Sequence, residues 1–339
     1  MNMRVFRIAV SVAAVAAGGA ALVATGGETR AGAGYAAAQS GTANDVHGGD
    51  ASYEPTRISK AIELLERDQP IYYTQVNAGG YEEGKALART WADYITYNME
   101  HSPFDMNALR AFMQGLVDGG PTRSGHRTPA VVAVLPFGGI NEQVMWANYW
   151  MVEQVLGAGV HGVLLAHARS PEVVRVLVQS ARYPHAPEAK GVDEGLRGNG
   201  GQGFAAHIWG LTNAEYQRRA DAWPLNPEGE LLIGLKIEDR HALENAEAST
   251  AVPGVGFAEW GPGDMSLSFD VSRGDAPQVL TDARARVLAA TKQAGIPFLN
   301  RVRADDIEQM IDEGVRIGSN PGAEGADRGR RYTNRRMPW

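Results

Sequence analysis

Residues 231–239 read Leu-Leu-Ile-Gly-Leu-Lys-Ile-Glu-Asp. A short apolar run that ends in charge is the mark of a strand buried on both faces, with its polar end at the rim of a sheet. Lys236 and Glu238 stand two apart, so both side chains share one face. If that face is the interior of a barrel, an ammonium and a carboxylate enter its mouth together.

Seven further runs of the same kind flank this one: Tyr72 to Asn77, Tyr94 to Met99, Ala130 to Leu135, Gly162 to Ala166, Gly256 to Trp260, Ile296 to Leu299 and Val315 to Gly318. Amphipathic stretches separate them, predicting helices over Asp105 to Val117, Val144 to Leu156, Pro171 to Ala181, Ala276 to Ala294 and Ala304 to Glu313. Alternating strands and helices give a parallel sheet, and eight such units suit an α/β fold of the (β/α)8 TIM barrel kind. No G-x-G-x-x-G follows an early strand, which removes support for a dinucleotide-binding sheet. Two connections exceed a minimal barrel's needs, Phe137 to Trp146 and His185 to Pro227, and long loops of this kind are usually functional or intersubunit.

The barrel is expected over residues 56–320. Ahead of it, Arg4 and Arg7 precede an apolar run from Ile8 to Thr25 and small-residue patterns at Ala31-Gly32-Ala33 and Ala36-Ala37-Ala38. That is the pattern of a cleaved export signal over 1–33, so a periplasmic or secreted protein is expected, with an uncleaved membrane anchor as the alternative. Residues 34–55 are dense in Gly, Ala and Ser and read as a flexible linker, and 321–339 as an Arg-rich C-terminal tail. The chain has no cysteine, so any metal must be held by oxygen or imidazole. A formal charge of −7 gives no field to attract nucleic acid or anionic lipid, which leaves a small molecule as the expected partner.

In such barrels the reacting groups sit where strands end. Glu238 ends one strand, and Asp264 follows the glycine-rich turn Trp260-Gly261-Pro262-Gly263 after the next. Two carboxylates on adjacent strand ends suit a hard cation, although a rim salt bridge for Glu238 and a helix cap for Asp264 would explain them as well. His101 ends the second strand, where an imidazole is placed for proton transfer, and His167 and Arg169 end the fourth.

Five segments in order resemble the HpcH/HpaI aldolase family, also called hydroxy-oxo-heptanedioate aldolases: Met99-Glu100-His101-Ser102-Pro103-Phe104-Asp105, the strand-four run to Ser170-Pro171-Glu172, Ala181-Arg182-Tyr183-Pro184, Lys236-Ile237-Glu238, and Ala251-Val252-Pro253-Gly254 through Gly261-Pro262-Gly263-Asp264-Met265-Ser266. The resemblance spans about Ile71 to Ser319. It implies a barrel of the phosphoenolpyruvate/pyruvate type, a divalent cation (Mg2+, Mn2+ or Co2+) on Glu238 and Asp264, and a 2-oxo acid whose carboxylate meets the backbone of Gly261, Pro262, Gly263 and Asp264. It also implies His101 as acid/base, an aldehyde as second reactant, and a homo-oligomer with contacts near Trp209 to Asp221.

Two positions depart from the family pattern. An arginine usual at the end of strand three is replaced, with Ala133 read at its place, and the aspartate before the Glu-His pair is Asn98. Lys236 stands where the family usually has glutamine, which makes it the candidate replacement cation near an enolate oxygen, or else a Schiff-base lysine. The expected function is therefore a metal-dependent carbon–carbon lyase. The alternatives are a periplasmic metal and 2-oxo-acid binding protein that has lost the chemistry, and a citrate-lyase-like enolate-forming enzyme.

Overall fold

The computed structural model describes residues 48–275 and 277–339. The expected signal over 1–33 lies outside them. None of the described helices is long and apolar enough to cross a membrane.

The run at 231–237 is a strand, one of eight that close on themselves. In chain order the first half is α1 (Lys60–Leu65), β1 (Ile71–Asn77), α2 (Tyr81–Leu87), β2 (Tyr94–Asn98), α3 (Met106–Asp118), β3 (Ala130–Gly138), α4 (Glu142–Gly157), β4 (Gly162–Ala166), α5 (Pro171–Ala181), α6 (Gln202–Trp209) and α7 (Asn213–Arg219). The second half is β5 (Ala222–Trp223), β6 (Leu231–Ile237), α8 (Arg240–Glu244), α9 (Ala246–Thr250), β7 (Phe257–Trp260), α10 (Pro262–Ser268), α11 (Gln278–Ala294), β8 (Phe298–Arg301), α12 (Ile307–Glu313), β9 (Val315–Ser319) and α13 (Gly322–Tyr332). Strands β1, β2, β3, β4, β6, β7, β8 and β9 pair in that order, all parallel, and β9 returns to β1. The two-residue β5 pairs beside the start of β6.

Alternation along β6 decides which residues reach the barrel interior. Leu231, Ile233, Leu235 and Ile237 pack outward with the helices, whereas Leu232 joins an inner cluster with Tyr73, Tyr94, Val132, Leu164 and Phe257. The inward set therefore continues through Gly234, Lys236 and Glu238. A side chain at Gly234 would collide with the Phe257 ring, whose Cζ lies 2.1 Å from the place of its Cβ. Ile62 and Leu65 of α1 and Met337 close the N-terminal end of this inner core. Apolar packing fills the inner core at that end, and the inward-facing charged positions at the end of β6, Lys236 and Glu238, lie toward the C-terminal mouth.

The helix starts follow their caps. Asp105 accepts from the backbone of Asn107 and Ala108 at α3, Asn141 from Val144 at α4, and Ser170 from Val173 at α5. The expected helix from Ala276 begins at Gln278, Ala276 itself lying outside the described residues. The connection from His185 to Pro227 contains α6 and α7, with Trp209 and Tyr216 buried inside the chain: Trp209 Nε1 donates to Gly159 O at 2.9 Å and Tyr216 Oη to Leu156 O at 3.1 Å. The arginine-rich stretch 321–339 forms α13 and a following segment in which Arg330 and Arg335 are buried.

Candidate active site

The β2, β4 and β6 ends bring Glu100, His167 and Glu238 together, with one potential ligand atom from each within 4.8 Å of the others. Among the described residues this is the group of acidic and imidazole side chains that could hold a metal ion. Lys236 lies beside it, its Nζ donating to Glu100 Oε2 at 2.5 Å and standing 3.9 Å from Glu238 Oε2. Asn98 shapes the loop that presents Glu100, its Oδ1 accepting from the backbone N–H groups of Glu100 and His101 at 3.0 and 3.3 Å. An aspartate could accept both in the same way, so the change to Asn98 keeps the loop and drops a charge.

Glu238 is held from two sides. Its Oε1 accepts the backbone N–H of His167 at 3.0 Å. That residue has φ +50°, a left-handed conformation that a residue with a side chain takes only under constraint. The constraint is visible: His167 Nδ1 lies 2.9 Å from Asp239 Oδ2, which also accepts from Arg169 Nε at 2.9 Å, while Asp239 Oδ1 caps α8 through the His241 and Ala242 N–H groups. From the other side, a Cβ at Gly261 would lie 2.7 Å from Glu238 Oε2 and 2.4 Å from its Cβ. The carboxylate occupies space that only a glycine leaves free.

This crowding sets the electrostatics. Burial pushes the Glu238 carboxyl up to about 7, with Lys236 opposing the rise and Glu100 and Glu259 adding to it. Burial likewise pushes Glu259, paired in register with Lys236, up to about 7. Burial alone would lower the Lys236 ammonium, but Glu259, Glu238 and Glu100 together hold it above its usual range. A Schiff-base lysine must lose its proton. The surroundings of Lys236 favour the opposite form. The hydrogen bond to Asp239 raises His167, and the charges of Glu238 and Asp264 add to that. Several carboxylates facing one ammonium, with oxygen and imidazole donors, form a set that fits a divalent cation.

The residues expected from sequence divide accordingly. Lys236 and Glu238 share the mouth, and Glu238 is 2% exposed rather than on the rim. Asp264 sits in the first turn of α10, which Gly261 caps, so it is not the cap itself; its charge reaches His167, but it is not part of the three-residue group. The turn Gly261, Pro262, Gly263 to Asp264 lies against Glu238 through Gly261. His101 is exposed, its Nε2 3.6 Å from Glu100 Oε2. Ala133 requires a correction: it packs in the outer cluster with the helices, while Val132 and Val134 point inward, so the β3 position facing the interior is Val134. Either residue is apolar, and β3 offers no cation there. Sequence reasoning did not assign Glu100 or Asp239, and it left His167 as one more strand-end histidine.

A barrel with its acidic cluster at the strand C-termini defines a class of enzymes that act on small molecules at that mouth. A model of the HpcH/HpaI aldolase/citrate lyase family matches residues 85–325, and the chain belongs to that family. It is 26% identical over 220 residues to a hydroxypyruvate/pyruvate aldolase of Roseovarius nubinhibens, covering 64% of this chain and 73% of that one. A second, from Deinococcus radiodurans, is 29% identical over 208 residues, covering 60% of this chain and 63% of that protein's length. Among solved structures, a family member from Burkholderia cenocepacia superposes with a TM-score of 0.60 at 22% identity, over 76% of this chain and 90% of that one.

Proposed function

We propose that this protein is a divalent-metal-dependent carbon–carbon lyase that cleaves or forms 2-oxo acids through a pyruvate enolate, with an aldehyde as the other reactant. The convergence of Glu100, His167 and Glu238 beside Lys236 carries this reading. Glu238 and Asp264 would hold the cation, with Glu100 and His167 as further donors in reach. A cation bound there supplies the Lewis acidity that stabilises enolate charge. Lys236 adds fixed positive charge where β3 has none. The backbone of Gly261 to Asp264 receives the substrate carboxylate, and the exposed His101 exchanges the proton of the hydroxyl at the cleaved bond. Asp239 and Arg169 keep His167 oriented, so the donor set is built before substrate arrives.

The test is to incubate chelator-stripped protein with Mg2+, Mn2+ or Co2+, pyruvate and a panel of aldehydes, and to look for adducts by chromatography. Metal-dependent adducts that vanish in Glu238→Gln support the reading. Metal-dependent oxalate binding without any adduct would instead favour a binding protein that has lost the chemistry, a reading for which the apolar Val134 and the uncharged Asn98 speak. We also propose export to the periplasm and a homo-oligomer. A mature N-terminus near residue 34 in the periplasmic fraction and a multiple of the monomer mass in light scattering are expected; an intact leader or a monomer would contradict them.

A further inference from the structure

The end of the barrel away from Glu238 carries a second concentration of charge. Lys60 of α1, Arg330 of α13 and Arg335 surround the one carboxylate of Asp93, with contacts to Oδ1 of 3.2, 3.2 and 2.8 Å. All four side chains are buried. Three cations against one carboxylate leave positive charge uncompensated where water does not screen it. Burial lowers the Lys60 ammonium to about 8 against the pull of Asp93.

Donors are left over in the same place. Among the described residues, Arg330 Nε, Arg335 Nε and the Tyr72 hydroxyl are buried without hydrogen-bond partners, and the two guanidinium groups lie 5.6 and 5.8 Å from the Tyr72 ring centre. Buried polar groups in folded proteins nearly always find partners, so three orphans around one ring mark a missing acceptor. Arg335 also lines a cavity of about 450 Å³ together with Arg67, Arg336, Gln69, Asn334 and Tyr53, and among the described residues no acidic side chain lines it. Arg67 and Arg336 are the accessible side of it, with side chains 42% and 84% exposed, and each also pairs with a carboxylate that does not line the cavity, Glu63 at 2.9 Å and Asp50 at 3.1 Å.

We infer that this cavity binds a small oxyanion, a phosphate or carboxylate group, at the opposite end of the barrel from the chemistry. Guanidinium groups match such anions in charge and in hydrogen-bond geometry. The volume exceeds that of a bare ion, so a small metabolite carrying the group fits. The lining comes from the segment around α1 and from the residues after α13, so a bound anion ties the two together and its occupancy registers as added stability. The site stands whether or not the lyase reading holds.

The experiment titrates inorganic phosphate, and acetate in a parallel arm, into full-length protein kept free of metal by chelator, read by calorimetry and by melting temperature. Saturable binding with a raised melting temperature is expected. Arg67→Gln combined with Arg336→Gln should weaken it at least about tenfold, and Glu238→Gln should leave it unchanged. If the double variant melts early without ligand, Arg336→Gln alone, at the more exposed of the two side chains, supplies the same comparison. Saturation by either anion supports the site, and the one that saturates names the group. No saturable binding, or binding that survives the arginine variants and disappears in Glu238→Gln, would overturn the inference.

Discussion

Gly261 lacks a side chain where Glu238 needs the room. In Gly261→Ala the new Cβ would stand 2.4 Å from the Glu238 Cβ, so the carboxylate must swing out of the mouth. Metal affinity, measured by Mn2+ titration, is expected to fall about 10- to 100-fold, the usual cost of losing a ligand's support; unchanged affinity would remove Glu238 from the site. Lys236→Gln is expected to lower turnover about a hundredfold or more, as loss of an oxyanion-stabilising group does, while Mn2+ still binds. Borohydride with pyruvate should leave no covalent mass on the wild type, and an adduct would restore the Schiff-base alternative. Lys236 and Glu238 were legible in the sequence because a strand repeats every two residues. Glu100, His167 and Asp239 were not, since they meet only when β2, β4 and β6 are brought together by barrel closure. His167 after the apolar run of β4 was the one available signal. Ala133 shows the converse hazard, because a slip of one position exchanges the two faces of a strand, and β3 changes register between Val134 and Gly138.

The contacts between elements explain a second group of residues. His161, between α4 and β4, is buried, accepts the Val131 N–H on Nδ1 at 3.1 Å and stacks on Trp209 of α6 with ring centres 5.4 Å apart. Burial lowers its pKa to about 3. The folded value lies below the unfolded one of about 6.5, so the fold favours the neutral ring. Its contribution is complete above that unfolded value and is lost as pH falls toward 3, at about 1.4 kcal/mol per unit. Urea unfolding at pH 6 and pH 4 should therefore show a smaller acid loss in His161→Gln than in the wild type; equal losses would mean that another group sets the acid limit. The eight strands and the longer helices were legible from periodicity and caps. The packing of α6 and α7 was not, because the aromatics between His207 and Trp223 read equally as a subunit contact or a pinned surface helix, and only their contacts with Leu156, Gly159 and His161 show that they are held within the chain.

Across the whole molecule the two ends of the folded unit meet at Asp93. Arg335 reaches it from 242 positions away, and its Nη1 contacts both carboxylate oxygens at 2.8 and 2.9 Å. Arginine density after residue 320 reads as an Arg-rich tail, since nothing periodic in sequence foretells a buried pairing over that distance. Asp93→Asn leaves three buried cations without their counter-charge, and a loss of about 3–5 kcal/mol is expected from urea denaturation; a loss under about 1 kcal/mol, the size of a surface pair, would show the cluster to be solvated. The proposed chemistry lies at the opposite end of the barrel, where enolate formation is expected to depend on a metal at Glu238. Deuterium exchange into the methyl group of pyruvate in D2O, followed by proton NMR, reads enolate formation without knowledge of the aldehyde. Chelator-stripped protein is expected to show no exchange, restored Mn2+ to switch it on, and Glu238→Gln to stay silent with Mn2+ present. Exchange that persists in chelator, or that proceeds undiminished in Glu238→Gln, would contradict the metal-dependent lyase at this mouth.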